Sequence, residues 1–281
     1  MSDFSYKRKT FGLFNPVDKN PFKISRSKID LFLECPRCFY LDQRVGIRRP
    51  AGFPFTLNSA VDHLLKKEFD IHRAAKSQHP LMKEYKLDAV PFDHPKVEEW
   101  RDALKRGISY LHKSTNLFVR GGIDDIWVNP KGEVIIVDYK ATAKTGEITL
   151  DDEWKDGYKR QMEVYQWLFR RNDFKVFPVG YFVYVNGQTD RKAFDGKLEF
   201  KVTLLPYKGD DSWIEKVLPK IKACLVDGRV PSPNKDCEYC AYTKLIEIEA
   251  PQVNKISKDV TGEKSSTSKK LKNDEKIKTL F

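Results

Sequence analysis

Apolar residues recur at two different periods along this chain. The run SKIDLFLE places Ile29, Phe32 and Leu33 on one stripe at helical spacing, with Ser25 or Ser27 able to N-cap it and Cys35-Pro36 to stop it. A second helix is predicted from about Asn58, where Val61, Leu64, Leu65 and Phe69 share a face and His63 lies beside it. The segment KVEEWRDALKRGISYLH reads as a third amphipathic helix.

In the middle of the chain the period changes. GGIDDIWV and EVIIVDYKAT are β-rich runs joined by Asn129-Pro130-Lys131-Gly132, a strong turn signal, so they predict a hairpin. The helix DGYKRQMEVYQWLFRRN follows, then the strands FPVGYFVYVN and KLEFKVTLL, the latter alternating Leu198, Phe200, Val202 and Leu204 on one face. A helix from Trp213 to Asp227, a Pro-rich loop and CEYC come next.

Little periodicity marks either end. Residues 1–22 carry Lys, Asn and Pro without a repeating apolar stripe and are expected to be a flexible arm. Residues 251–281 are rich in Lys, Ser, Thr and Asp with almost no aromatics, so burial does not offset the entropy of ordering and a disordered basic tail is expected. One domain over 23–250 remains, α/β in class, with a central mixed sheet flanked by helices.

Charge narrows the partners. Fifty-one Lys and Arg against 40 Asp and Glu give a formal net charge of +11, which attracts polyanions and makes nucleic acid the leading partner class. Basic groups cluster at Arg48-Arg49, Lys159-Arg160 and Arg170-Arg171, as a phosphate-tracking surface or as an ordinary solvated face. No apolar run reaches the roughly 18 to 20 residues that span a bilayer, and MSDFSYKRKT lacks a hydrophobic h-region, so a cytoplasmic protein without membrane contact is expected.

Candidate chemistry sits on the hairpin. Residues two apart on a strand point the same way, so Asp138 and Lys140 share one face while Ile135 and Val137 take the other. These charges end a buried-looking aliphatic run, where they are costly without a role, although a surface ion pair is the plainer reading. The partner run offers Asp124, or its neighbour Asp125 on the opposite face. Two carboxylates brought together repel unless a divalent cation bridges them, and hard oxygen ligands around Mg²⁺ or Mn²⁺ suit phosphodiester hydrolysis.

The order GGIDDIWV, VDYKAT, QMEVY resembles the PD-(D/E)XK nuclease superfamily, and in detail its RecB/AddB branch, which includes CRISPR adaptation nucleases. The resemblance spans about Ile24 to Tyr242 and implies a restriction-endonuclease-like core. It implies that Asp124 and Asp138 bind the metal, that Lys140 is catalytic, and that Gln161 and Tyr165 on the following helix contact DNA or support the lysine. It also points to His63 as a further metal ligand, although Asn58 and Ser59 stand where the branch usually has glycine.

Four of the five cysteines form two C-x-x-C pairs, Cys35/Cys38 and Cys237/Cys240, and four thiolates make a closed metal site. CPRCFYLD and CEYCAYTK resemble the segments that hold an iron-sulfur cluster in that branch, here split two and two. An iron-sulfur cluster is therefore expected, with Zn²⁺ as the alternative, stapling the N- and C-terminal cysteine segments together. Cys224 is read as a core thiol.

The function expected is a DNA exonuclease or flap-type nuclease for repair, recombination or CRISPR adaptation. A sequence-specific endonuclease of the same fold and a non-catalytic DNA-binding module with a structural metal are the rivals. No G-x-x-x-x-G-K-[ST] P-loop occurs, so unwinding would come from a helicase partner. The terminal KIKTLF faintly resembles peptides that dock on sliding clamps.

Overall fold

A computed structural model describes residues 8–52, 56–152 and 155–260, with side chains as far as residue 249. The chain divides after Asn234 into two units.

In the first unit the elements run β1 (Phe22–Ser25), α1 (Arg26–Glu34), α2 (Pro36–Tyr40), α3 (Thr56–Ala74), α4 (Pro80–Glu84), β2 (Val90–Pro91) and α5 (Val97–Arg101). They continue as β3 (Ile108–His112), β4 (Leu117–Gly121), β5 (Asp125–Val128), β6 (Val134–Thr142), α6 (Asp156–Arg171), β7 (Val179–Gly187), β8 (Phe200–Lys208) and α7 (Ile214–Val226). The second unit carries α8 (Glu238–Val260).

The expected mixed α/β architecture is present. Five strands form a sheet in the order β2-β5-β6-β7-β8, in which only β6 and β7 run parallel, joined through α6. A separate three-stranded sheet has the order β1-β4-β3. The predicted hairpin is β5 and β6: Asn129 Oδ1 accepts the main-chain N–H groups of Lys131 and Glu133, both at 3.0 Å, and Gly132 takes the positive φ of 71° that the turn requires.

Alternation along β6 separates two cores. Val134 and Ile136 pack with Met162, Leu168 and Phe169 of α6. Ile135, Val137 and Tyr139 pack on the other side with Leu65 and Phe69 of α3. Phe69 stacks on Trp127 at 5.3 Å between centroids, and both rings are fully buried. A side chain of that size contributes roughly 1.5–3 kcal/mol on burial. The face of β6 that carries Asp138 and Lys140 is therefore the face toward α6.

Four expectations are corrected. KVEEWRDALKRGISYLH is not one helix, because α5 stops at Arg101 and ISYLH becomes β3, paired antiparallel with β4. Gly107 takes φ +76° between them, and cross-strand pairing overrides the apparent helical period. The loop expected after Cys35 is instead α2 followed by a π-helical turn, Leu41–Val45, ended by Gly46 at φ 86°. GGIDDIWV is interrupted at residues 122–124, leaving Asp124 in the gap between β4 and β5.

The fourth correction concerns the arm. Residues 8–22 are not loose, since Lys9 N–H donates to Gly46 O, Phe14 N–H donates to Gln43 O, and the Phe14 ring is buried. Toward the other end, α8 continues past residue 250 to Val260, and the rest of the expected tail, with KIKTLF, lies outside the described residues. Of the expected apolar face of KLEFKVTLL only Leu204 is buried, while Phe200 and Val202 of β8 and Leu198 before it stay exposed. Cys224 packs against the larger core, and burial pushes its thiol pKa up to about 11. No described helix is long and apolar enough to cross a membrane.

Candidate active site

The two adjacent acids before and within β5 have opposite environments. Asp125 is fully buried and fully partnered: Arg73 and Arg101 pair with it, Tyr139 OH donates at 2.8 Å and Trp127 Nε1 at 3.2 Å. Four donors around one carboxylate leave it no capacity for a metal. Asp124 keeps about a quarter of its side chain exposed and uses Oδ2 to accept the main-chain N–H of Tyr139 at 2.9 Å.

Asp138 is the unusual group. Its side chain is 0 % exposed, and apart from the Lys140 ammonium, with which it forms an ion pair, neither carboxylate oxygen has a donor. A buried carboxylate with unfilled acceptor positions is costly, and a cation among its oxygens relieves that cost. Burial, with Asp138 nearby, raises the Asp124 pKa to about 6. Two neighbouring carboxylates, one buried without a donor beyond Lys140, form a donor set that fits a hard divalent cation.

Lys140 stays an ammonium. Burial works against its charge, but Asp138 and Asp124 outweigh it and raise the pKa above the ordinary lysine value. Its Nζ lies 4.5 Å from the centroid of the Tyr158 ring. On α6, Gln161 Nε2 donates to the Tyr165 hydroxyl at 3.2 Å, as their i, i+4 spacing allows. Burial raises the Tyr165 pKa, and the fields of Asp138 and Asp124 act in the same direction, which ties this pair to the acids. Gly121 has to be glycine here, because a Cβ would strike the Tyr165 ring.

His63 makes no hydrogen bond or ion pair with the acids among the contacts of the described residues. Its ring is exposed on α3, and the same helix presents Asp62 and Lys66 instead. Lys66 Nζ lies 2.8 Å from Asp62 Oδ2 and 3.8 Å from Asp124 Oδ1. Asp62 also lines a cavity of about 120 Å³ with Asn58, Lys140 and Tyr158. Neither Asp62 nor Lys66 stands out in the sequence; their i, i+4 spacing on a predicted helix is the available signal. The Asp70, Arg73, Arg101 and Asp125 network escapes sequence reasoning as well, and it holds the gap through Arg101 Nε donating to Asp124 O at 3.1 Å.

The basic pairs are largely neutralised within the fold. Arg49 pairs with Glu34, Lys159 with Asp156, Arg160 with Asp30, Arg170 with Asp211 and Arg171 with Glu215. Four of these five come from the clusters on α6, so that helix is mostly a solvated and paired face.

The thiols of Cys35, Cys38, Cys237 and Cys240 all lie within 4.8 Å of one another. Four thiolates at the usual metal–sulfur distance of about 2.3 Å sit roughly 3.8 Å apart, so the set fits a single tetrahedral metal or a small cluster. Cys35 separates α1 from α2, Cys237 immediately precedes α8, and Cys240 falls in the first turn of that helix.

A D-x-K strand in a hairpin, an acid in the gap facing it and a crossover helix beside them form an arrangement suited to metal-dependent phosphodiester hydrolysis. The model of the PD-(D/E)XK nuclease superfamily matches residues 23–245, and the chain belongs to that superfamily. A solved structure described as "Crystal structure of SSO0001" is similar at 16% identity and TM-score 0.35, over 80% of this chain and 85% of that one, too distant to bear on mechanism. Comparison with curated proteins returns no match.

Proposed function

We propose that this protein is a Mg²⁺- or Mn²⁺-dependent deoxyribonuclease of the RecB/AddB type, acting on DNA ends or flaps in repair, recombination or CRISPR adaptation. The observation that carries the reading is the Asp138 carboxylate, wholly buried and with no donor but Lys140, beside Asp124. Asp124 and Asp138 would hold the ion, with Asp62 at the edge of the same site. A divalent cation there supplies polarisation of the phosphate and a bound water of lowered pKa.

The protein's own groups do the rest. Lys140, kept protonated by the acids, donates to the attacking water and offsets the charge that develops on the phosphate. The main-chain N–H of Tyr139 fixes the Asp124 carboxylate, and the Asp125 network fixes the backbone behind it. Gln161 and Tyr165 bound the face on which Lys140 works and contact the strand being cut.

In this reading the four cysteines hold an iron-sulfur cluster, and a helicase or CRISPR adaptation partner supplies opened DNA. The test is digestion of end-labelled linear and circular DNA with Mg²⁺ or Mn²⁺, wild type beside Lys140→Ala. Loss of linear substrate only with wild type and metal supports the reading, and the circular substrate reports whether an end is needed. No cleavage of either DNA by protein that retains its cysteine-bound metal overturns it.

A further inference from the structure

A basic cavity of about 560 Å³, separate from the acids, lies at the start of α1. Lys9, Lys23, Lys28, Arg48 and Arg120 line it against a single carboxylate, Asp42, whose Oδ2 pairs with Lys28 while its Oδ1 is buried without a donor. Burial lowers the Lys9 pKa against the pull of Asp42, and Arg48 and Lys28 act in the same direction as burial.

Two features point to an anion. No side chain caps the nine-residue α1, whose N-cap is Ser25 and whose first turn holds no acidic residue, and both Ser25 and Ser27 face the cavity. An uncapped helix start presents main-chain N–H groups and the positive end of the helix dipole. Independently, Gln43 lines the cavity at 3% exposure, and its Nε2 donor has no hydrogen-bond partner. A buried amide donor without an acceptor is costly, and a phosphate oxygen would satisfy it.

We propose that this cavity holds one backbone phosphate of the nucleic-acid strand, upstream or downstream of the scissile one. The inference rests on the nuclease reading and adds where the strand is gripped. Arg120 and Asp124 are four residues apart, so no more than about 14 Å of chain separates the cavity wall from the metal-binding acid. At the duplex axial rise of about 3.4 Å per phosphate of one strand that is at most roughly four phosphates from the cut, and fewer along an extended single strand. Asp30 of α1 pairs with Arg160 of α6, so the helix that starts at the cavity packs against the helix of Gln161 and Tyr165.

The test replaces single phosphates of a single-stranded oligonucleotide by neutral methylphosphonates and measures binding in Ca²⁺, for wild type and Lys9→Ala/Lys23→Ala. In wild type, one substitution within about four positions of the cut should weaken binding roughly tenfold, the scale of a hydrogen bond to a charged group. In the double variant that position should become silent, and the slope of log K against log salt should fall by about 0.7 for each phosphate no longer neutralised. The pair Lys216→Ala/Lys220→Ala, exposed on α7, removes equal charge elsewhere and should leave the sensitive position in place. Circular dichroism checks folding, with Lys23→Ala alone as the milder variant.

A wild-type scan with no sensitive position overturns the cavity assignment, as does equal sensitivity in the double variant, while either leaves the nuclease reading standing if the DNA is still cut. Wild type that neither binds nor cuts any strand overturns both.

Discussion

The Asp124 carboxylate accepts the main-chain N–H of Tyr139 at 2.9 Å, which fastens the acid in the gap before β5 to the stretch of β6 between Asp138 and Lys140. One hydrogen bond thus sets the relative position of three charged groups. Asp124→Asn keeps an oxygen able to accept from Tyr139, so the fold should survive while the anionic ligand is lost. We expect a loss of at least about 10³-fold in kcat/KM with an unchanged circular dichroism spectrum, the scale seen when a preorganised charge-stabilising group is removed. Cleavage within tenfold of wild type would exclude Asp124 as a ligand.

Asp125→Ala should do the reverse. It strips the fully buried partner of Arg73 and Arg101 and leaves the two cations with Asp70 and the exposed Glu98. Breaking a buried pair from one side costs about 3–5 kcal/mol, so denaturant unfolding should shift by that amount. A variant as stable as wild type would show that the network does not hold this part of the fold.

These paired outcomes bear on what is legible in the sequence. Alternation locates Asp138 and Lys140 on one face of a hairpin strand, because a period of two is insensitive to what packs above it. It does not choose between Asp124 and Asp125, since that choice depends on Arg73 and Arg101, brought in from α3 and α5 by tertiary contacts. The same limit applies to α3: the helical stripe identifies its buried face, but that Lys66 and Asp62 lie near the acids and Lys140 depends on where the helix lies over β6. ISYLH mimics a helix for a related reason, its strand character coming from pairing with β4.

Lys140→Ala separates binding from chemistry. The ammonium is held by Asp138 and Asp124, so its removal should abolish cutting, by about 10²-fold or more. Binding of a labelled strand in Ca²⁺ should stay within about threefold, because most affinity comes from other phosphate contacts. Retained cutting would remove the lysine from the chemistry.

Metal affinity should depend on pH through Asp124. A folded pKa raised from 3.8 to about 6 means that the protonated form is favoured in the fold, so this group stabilises the protein below about pH 4 and that contribution is lost as pH rises through 6. A divalent cation binds the deprotonated form, so its apparent affinity should fall up to about tenfold per unit below pH 6. The gain in Tm from added Mg²⁺ should accordingly grow between about pH 5 and 7. A gain independent of pH over that range would place the ion away from Asp124.

The cysteine cluster makes the last prediction. Four thiols within 4.8 Å of one another join segments about two hundred residues apart, and a metal there contributes directly to folding. Cys237→Ser should strip the bound metal and lower Tm, whereas Cys224→Ser, outside the cluster, should leave the metal content as it is. Iron with acid-labile sulfide and a broad visible absorption would support the iron-sulfur proposal, and one zinc per chain without colour would replace it. Unchanged metal content and melting in Cys237→Ser would reject the staple itself, because a tetrathiolate site does not lose a ligand without weakening.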